Sequence, residues 1–261
     1  MHQHFAKACH LSLFNLILFL SPLNAEIVQH RGTSFHVYRV EADKDAVQLL
    51  LAKRKGKPNK FTNVRQRLEK KGRQLKFAMN SGIFEGNFMP TGLHVSEGKT
   101  ITPLNLTPFV KEREGQLTPN FFLEPNGVFF MRKDGTSGIL ESHAYAKSQI
   151  PPHLATQSGP LLVHDGTIHP VLGPDSTSTR LRNGVGVDEG GNVIFVCSVH
   201  DQKQGRSNLY RFAEFFRDVL KCANALYLDG DISYVYIRGE TGPIEDTNWF
   251  AGILAITEPA P

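Results

Sequence analysis

Ten residues, Asn224-Ala225-Leu226-Tyr227-Leu228-Asp229-Gly230-Asp231-Ile232-Ser233, constrain the fold more than any other stretch of the chain. An apolar run, Ala225 to Leu228, ends abruptly in Asp-Gly-Asp. A second apolar run, Tyr234 to Ile237, begins directly after Ser233. A buried strand that ends at a polar turn and continues into another strand reads this way. Two carboxylates and a hydroxyl then stand at a strand end, where a rigid sheet fixes their geometry.

The rest of the chain supplies partners for such strands. Phe35 to Leu51 alternates as one or two strands, and Leu75 to Met79 is a short apolar strand ending at Asn80-Ser81-Gly82. Thr91 to Val95 and Asn120 to Leu123 read as short strands. Asn126-Gly127 is a hairpin signal between Phe121-Phe122-Leu123 and Val128-Phe129-Phe130-Met131. Two more hairpins are expected, at His164-Asp165-Gly166 and across Asp188 to Asn192. Two main helices complete the pattern. One covers Val64 to Lys71, with Asn63 as N-cap and Gly72 as stop. The other runs from Leu209 to Leu220, with Leu209, Phe212, Ala213, Phe216 and Leu220 near helical spacing. The expected class is α+β, a mostly antiparallel or mixed sheet with a few packed helices in a single domain.

The N-terminus reads differently. Lys7 precedes the apolar run Leu11 to Leu20, and Pro22-Leu23-Asn24-Ala25 follows. A basic start, a short apolar core and a small residue at the end make residues 1–25 a secretory signal peptide. The core of about ten residues falls short of the roughly 20 that span a bilayer. Cleavage is expected after Ala25; Cys9 lies too early and no Cys stands just past the cut to carry a lipid. Residues 26–74 then supply N-terminal strands and a helix of the same domain, and 75–258 supply its remainder. No later apolar run is long enough to span, so the expected location is periplasmic or secreted, with no stable membrane insertion after cleavage.

The formal net charge of +4 falls by one with Lys7. That weak balance gives no reason to expect a nucleic-acid partner. The basic residues crowd between Lys53 and Lys76, as on a solvated helix face and loop. Cys197 and Cys222 remain after cleavage, and both a disulfide and two buried thiols are compatible with their spacing.

No phosphate-binding Gly-Lys-Ser loop, His-Glu-x-x-His helix, zinc-like cysteine spacing or Gly-x-Ser-x-Gly elbow occurs, and no cofactor or metal site is expected. Polar clusters instead stand at the ends of apolar runs. Arg182 offers a bidentate fork to phosphate. Ser-Gly turns offer backbone N–H donors, and the amides Asn80 and Gln157 suit sugar hydroxyls. Asp229 can serve as acid, base or nucleophile at an anomeric carbon. His94, His143, His169 and His200 are further titratable groups and rank below Asp229.

Seven ordered blocks carry a resemblance. They are Phe77-Ala78-Met79-Asn80-Ser81-Gly82, Pro90-Thr91-Gly92-Leu93, Asn120-Phe121-Phe122-Leu123, Pro125-Asn126-Gly127-Val128-Phe129, Ala155-Thr156-Gln157-Ser158-Gly159-Pro160, Arg182-Asn183-Gly184-Val185-Gly186 and Leu228-Asp229-Gly230. Over about residues 75 to 240 the chain resembles the phosphodiester glycosidase family, which includes the mannose 6-phosphate uncovering enzyme and many exported bacterial proteins. It looks closest to the bacterial branch. The resemblance implies release of a sugar, N-acetylglucosamine among the candidates, from a sugar 1-phosphodiester or phosphoglycan. Carried over by position, Asn80, Gly82, Gln157, Ser158, Gly159, Arg182, Asn183, Asp229, Gly230 and Ser233 fit its pattern. Asp231 stands where the family often has Gly or Ser, and Ser81 where it often has Gly or Ala. Asp231 is either an extra ligand or an exposed turn carboxylate. Glu85 is the candidate second catalytic carboxylate beside Asp229. Two other readings stay open: a binding protein for envelope glycans or phosphoglycans, and a metal-dependent phosphodiesterase built on Asp229 and Asp231.

Overall fold

The computed structural model describes residues 24–52, 56–244 and 248–261. The leader expected over residues 1–25 lies outside them except for Asn24 and Ala25, and so does the basic run Lys53-Arg54-Lys55.

Among the described residues the chain forms three antiparallel sheets and three helices. The largest sheet has seven strands, in the order Ala25–His30, Thr33–Arg39, Val193–Ser198, Asn183–Asp188, Cys222–Asp229, Leu161–His164 and Thr167–Ile168. A four-stranded sheet runs Val235–Ile237, Arg73–Asn80, Ile253–Pro259 and Val47–Leu50. A five-stranded sheet runs Lys99–Thr102, His94–Ser96, Leu154–Ser158, Gly127–Met131 and Ser137–Glu141. The class expected from sequence, α+β with mostly antiparallel strands, is the class observed.

One core cluster draws on all three sheets. Phe77 from the four-stranded sheet stacks on Phe195 at 5.2 Å and lies 4.6 Å from Tyr38, both in the seven-stranded sheet. Phe129 from the five-stranded sheet meets Phe195 edge-on at 6.1 Å. Such pairs add to burial because ring edges and faces carry opposite partial charge. The outer faces are covered by helices. Phe61, Val64 and Leu68 of helix Phe61–Glu69 pack on Leu75, Ala78, Ile253 and Ala255. Phe212, Phe215 and Phe216 of the helical segment Leu209–Val219 pack on Phe35, Val196 and Ala225. Gly186 makes that approach possible, since a Cβ there would stand 2.5 Å from Cys222 Sγ and 2.7 Å from the Phe216 ring.

Several expectations hold. The run Ala225 to Leu228 is the centre of strand Cys222–Asp229, and Val235–Ile237 follows it into a different sheet. The hairpins Leu161–His164 with Thr167–Ile168 and Asn183–Asp188 with Val193–Ser198 both form. Other readings are corrected. The first helix spans Phe61–Glu69 and starts at Lys60, not Asn63, because Phe61 is one of its three buried contacts. The second is α-helical only to Glu214, with Asn208 capping Arg211 N–H at 2.8 Å, and continues as a π-turn over Phe215–Val219. Asn120–Phe122 is a 3-10 turn rather than a strand. Asn126-Gly127 is not a hairpin turn: the Asn126 side chain is buried and donates to Phe121 O at 2.8 Å. The strand expected over Thr91 to Val95 begins at His94. A third helix, Ser142–Ser148, was not marked by a long apolar period.

Cys197 and Cys222 are both free and buried. Cys197 lies opposite Asn183 and Cys222 opposite Asp188 on the strand between them. Five residues of strand separate the two rows by about 17 Å, far beyond disulfide reach.

Replacing Phe77 by Ala removes the ring that joins two sheets. The expected cost is about 3–5 kcal/mol, read as a lowered urea midpoint with an unchanged slope.

Candidate active site

A cleft of about 570 Å³ is lined by the end of strand Cys222–Asp229 and the turn after it, by the segments around Phe84, Phe121 and Leu172, and by Arg180 and Arg182. Asp229, the last residue of its strand, lies on the floor, because the chain must leave one sheet there to reach the other. Its Oδ2 accepts from the Asn80 side-chain amide at 3.1 Å, and its Oδ1 accepts from Gly230 N–H at 2.7 Å. Asn80 is itself the last residue of strand Arg73–Asn80. Its side-chain oxygen accepts from Tyr234 N–H at 3.0 Å and from the Asn183 amide at 3.1 Å, which orients the amide nitrogen toward Asp229. Asn183 also donates to Asn80 O at 2.7 Å. The Ser233 hydroxyl lies 3.1 Å from Asp229 O and 3.3 Å from Asn183 Oδ1. Asn80, Asn183 and Ser233 are buried. They hold the catalytic candidate from behind rather than facing the cleft.

Burial is the main influence on Asp229. It pushes the carboxyl up to about 7, with a smaller push from the negative charge of Asp231, while the Gly230 N–H and the Asn80 amide pull the other way. The group therefore changes protonation near neutral pH.

Tyr227 sits two residues earlier on the same strand face, with its hydroxyl in the cleft wall. Burial pushes its phenol up to about 12. That hydroxyl also explains Gly230, where a Cβ would stand 2.9 Å from it. Arg182 is buried, and its guanidinium donates to Tyr227 Oη at 3.1 Å, Ser207 O at 3.0 Å and Ser178 O at 2.9 Å. The fork expected to face a phosphate is thus turned to neutral oxygens of the protein. Those acceptors leave the positive charge uncancelled beneath the cleft. The more exposed arginine of the cleft is Arg180, which pairs with Asp231 at 3.1 Å. Arg206 reaches the other Asp231 oxygen at 3.2 Å. Asp231 is therefore neither a free ligand nor an idle turn carboxylate: it holds two guanidinium groups at the rim.

Glu85 is exposed and lines the cleft from a loop that follows strand Arg73–Asn80. Ser158 supports that loop by accepting from Ile83 N–H at 3.4 Å while donating to Leu228 O at 3.1 Å. Gln157 departs from the sequence reading. Its oxygen accepts from Leu93 N–H and Asn105 N–H, and its nitrogen donates to Asn105 O and Ser142 Oγ, so nothing remains for a sugar. Gly82 and Gly159 are packing positions, where a Cβ would come within 2.8 Å of Gln157 O and within 2.7 Å of the Asn126 side chain. His94, His143, His169 and His200 are not among the lining residues. Among the described residues no three His, Cys, Asp or Glu side chains converge as a metal site would require. Arg180 belongs to the polar cluster Arg180 to Asn183 but has no site role in the sequence reading, and Arg206 and Tyr227 have none either. Only Tyr227 carried a signal, the two-residue period that places it beside Asp229.

The family model described as phosphodiester glycosidase (NAGPA) matches residues 73–248. An uncharacterized protein of Escherichia coli, YigE, is 37% identical over 170 residues, which are 65% of this chain and 61% of that protein. The match thus spans about six-tenths of the length of this curated relative. The catalytic domain of zebrafish N-acetylglucosamine-1-phosphodiester alpha-N-acetylglucosaminidase superposes with a TM-score of 0.59 at 16% identity, covering 89% of this chain and 81% of that one. A hypothetical protein from Synechocystis gives 0.54 at 15% identity, covering 89% and 61%. At these identities the two structures show a shared fold.

The position of Asp229 predicts a pH-dependent effect of its removal. The native carboxyl holds its proton to about 7, against 3.8 for the ordinary group. The folded state therefore binds more protons than the unfolded state between those values, and stability falls as pH rises through them. Asp229→Asn is expected to raise the melting temperature relative to wild type at pH 8 and to lose that gain at pH 4. An equal difference at both pH values would contradict the buried-acid reading.

Proposed function

From the premise that the chain belongs to the phosphodiester glycosidase family, we propose that it hydrolyses a sugar 1-phosphodiester, freeing the sugar and leaving a phosphomonoester. The observation that supports this most is one carboxyl able to carry a proton near pH 7, set beside an arginine charge that no carboxylate neutralises. N-acetylglucosamine is the sugar of first choice, and the leader over residues 1–25 would deliver the protein to the periplasm or beyond.

The chemistry follows from the charges. The bond between C1 and the phosphate oxygen breaks as a water oxygen bonds to C1. A phosphate leaving group is a weak base, since a phosphomonoester has its second pKa near about 6. It needs less acid help than the oxygen of an ordinary glycoside, and charge stabilisation gains in weight. In this reading Arg182 stabilises the developing negative charge from beneath. Arg180, released in part from Asp231, offers the exposed fork. Asp229 gives its proton to the leaving oxygen, and Glu85 takes the proton of the attacking water. Gly230 keeps the floor clear of side-chain atoms. Asn80, Asn183 and Ser233 position Asp229 and do not touch substrate.

A binding protein for phosphoglycans would use the same charges without turnover. A metal-dependent phosphodiesterase would need Asp231, whose two oxygens already serve Arg180 and Arg206.

Incubation with UDP-N-acetylglucosamine and with an N-acetylglucosamine-phospho-sugar, with and without chelator, separates these readings. Free sugar and a phosphomonoester or nucleotide product, unaffected by chelator, is the expected outcome. Sugar 1-phosphate lost on chelation would support the metal enzyme. Saturable binding without product would support the binding protein. Asp229→Asn is expected to lower turnover by about 10²–10⁴-fold, and Arg182→Lys also lowers it, because an ammonium cannot span three acceptors. The rate should fall as pH rises through about 7 in wild type. In Asn80→Ala that limb should move upward, because a hydrogen bond favouring the ionised carboxyl is lost.

A further inference from the structure

An aromatic path leaves the cleft along the lip that carries Glu85. Phe84 lines the cleft itself. Its ring stacks on Phe88 at 5.7 Å and 23°, and Phe88 meets Trp249 at 6.2 Å and 62°. Trp249 is 55% exposed, and Phe84 and Phe88 are only partly buried. None of the three rings belongs to a core cluster.

The path is built, not loose. The loop closes on itself through a bridge between Phe84 and Pro90, with Glu85 N–H donating to Met89 O at 2.8 Å and Phe88 N–H donating to Glu85 O at 2.8 Å. Phe88 takes a left-handed backbone with φ of 56°, a costly choice for a bulky residue and one that clusters at functional sites. Core burial does not explain it, because the ring stays at the surface. The Lys60 ammonium stands 5.7 Å over the Trp249 ring and helps to fix the indole.

We infer that Phe84, Phe88 and Trp249 form a carbohydrate subsite that receives a pyranose ring of the substrate beyond the scissile phosphodiester. This rests on the sugar phosphodiester reading above. A pyranose presents a face of C–H bonds, which covers an aromatic ring, and a rim of hydroxyls, which stays with water and polar neighbours. The exposed side chains of Glu85 and Asn87 alternate with the rings and suit that rim. Continuity with the cleft favours a sugar of the same substrate over an unrelated partner. The substrate is then an oligosaccharide or longer glycan carrying the phosphodiester, rather than a disaccharide unit alone.

Trp249 is the sole tryptophan of the chain, so fluorescence excited selectively at tryptophan reports on this site. The Asp229→Asn protein would be titrated with chito-oligosaccharides and manno-oligosaccharides of one to four residues. A saturable fluorescence change is expected, with affinity rising about tenfold or more from monomer to tetramer in at least one series. Calorimetry with the same sugars should show that binding lost in a Trp249→Ala, Asp229→Asn double variant and partly restored by Trp249→Phe. In the otherwise wild-type protein, hydrolysis of UDP-N-acetylglucosamine is measured alongside, as the test of the catalytic reading on which the subsite rests. No length-dependent response from either series would overturn the subsite, as would undiminished binding in the Trp249→Ala double variant. If UDP-N-acetylglucosamine is not hydrolysed while the oligosaccharides still bind, the catalytic reading fails and the subsite stands. If hydrolysis holds and oligosaccharides do not bind, only the subsite fails.

Discussion

The hydrogen bonds of one buried amide tie the site together. Asn80 ends a strand of one sheet, while Asp229 and Asn183 end or begin strands of another. The Asn80 amide nitrogen holds the Asp229 carboxylate, and its two oxygens take Asn183 and the Tyr234 N–H. An apolar replacement of this buried amide would strand several hydrogen-bond partners at once. The seam where two sheets part is therefore also the place where a carboxyl is fixed. The Asn80 amide ties the end of strand Arg73–Asn80 to the end of strand Cys222–Asp229, beside the cleft that Asp229 lines.

The same seam sets the electrostatics. A carboxyl enclosed by two sheets loses water on most sides, and its neutral form becomes competitive at neutral pH. One donated amide and one backbone N–H are too few to reverse that. Arg182, close by, is saturated with neutral acceptors and so keeps its field. The proposed reaction rests on that pair, an acid still protonated near pH 7 and a cation that no carboxylate neutralises. Asp231 pairs with Arg180 and Arg206 at the rim.

Much of this was legible in the sequence, for physical reasons. Strand periodicity and the abrupt polar stop put Asp229 at a strand end, which is where the structure has it. Paired hairpins around Asp165-Gly166 and Gly190-Gly191 followed from turn chemistry. Other features depended on contacts distant in sequence. Asn126-Gly127 looks like a turn, yet Asn126 is consumed by Phe121 and Ser142. Gln157 looks like a sugar ligand, yet Asn105, Leu93 and Ser142 satisfy it completely. Arg182 fits a phosphate fork until Ser178, Ser207 and Tyr227 are seen around it. In each case the residue type was read correctly as polar and positioned, and only the fold reveals which partner it meets. The division into groups that face the cleft and groups that hold them is invisible without the sheet topology.

The central claim is that Asp229 carries a proton in the working pH range, and a ¹³C NMR titration of its side-chain carboxyl, assigned by comparison with Asp229→Asn, tests it most directly. A midpoint close to 7 is the predicted result. A midpoint at or below the ordinary aspartate value of 3.8 would contradict it, leaving Asp229 as a permanently charged group with no proton to give.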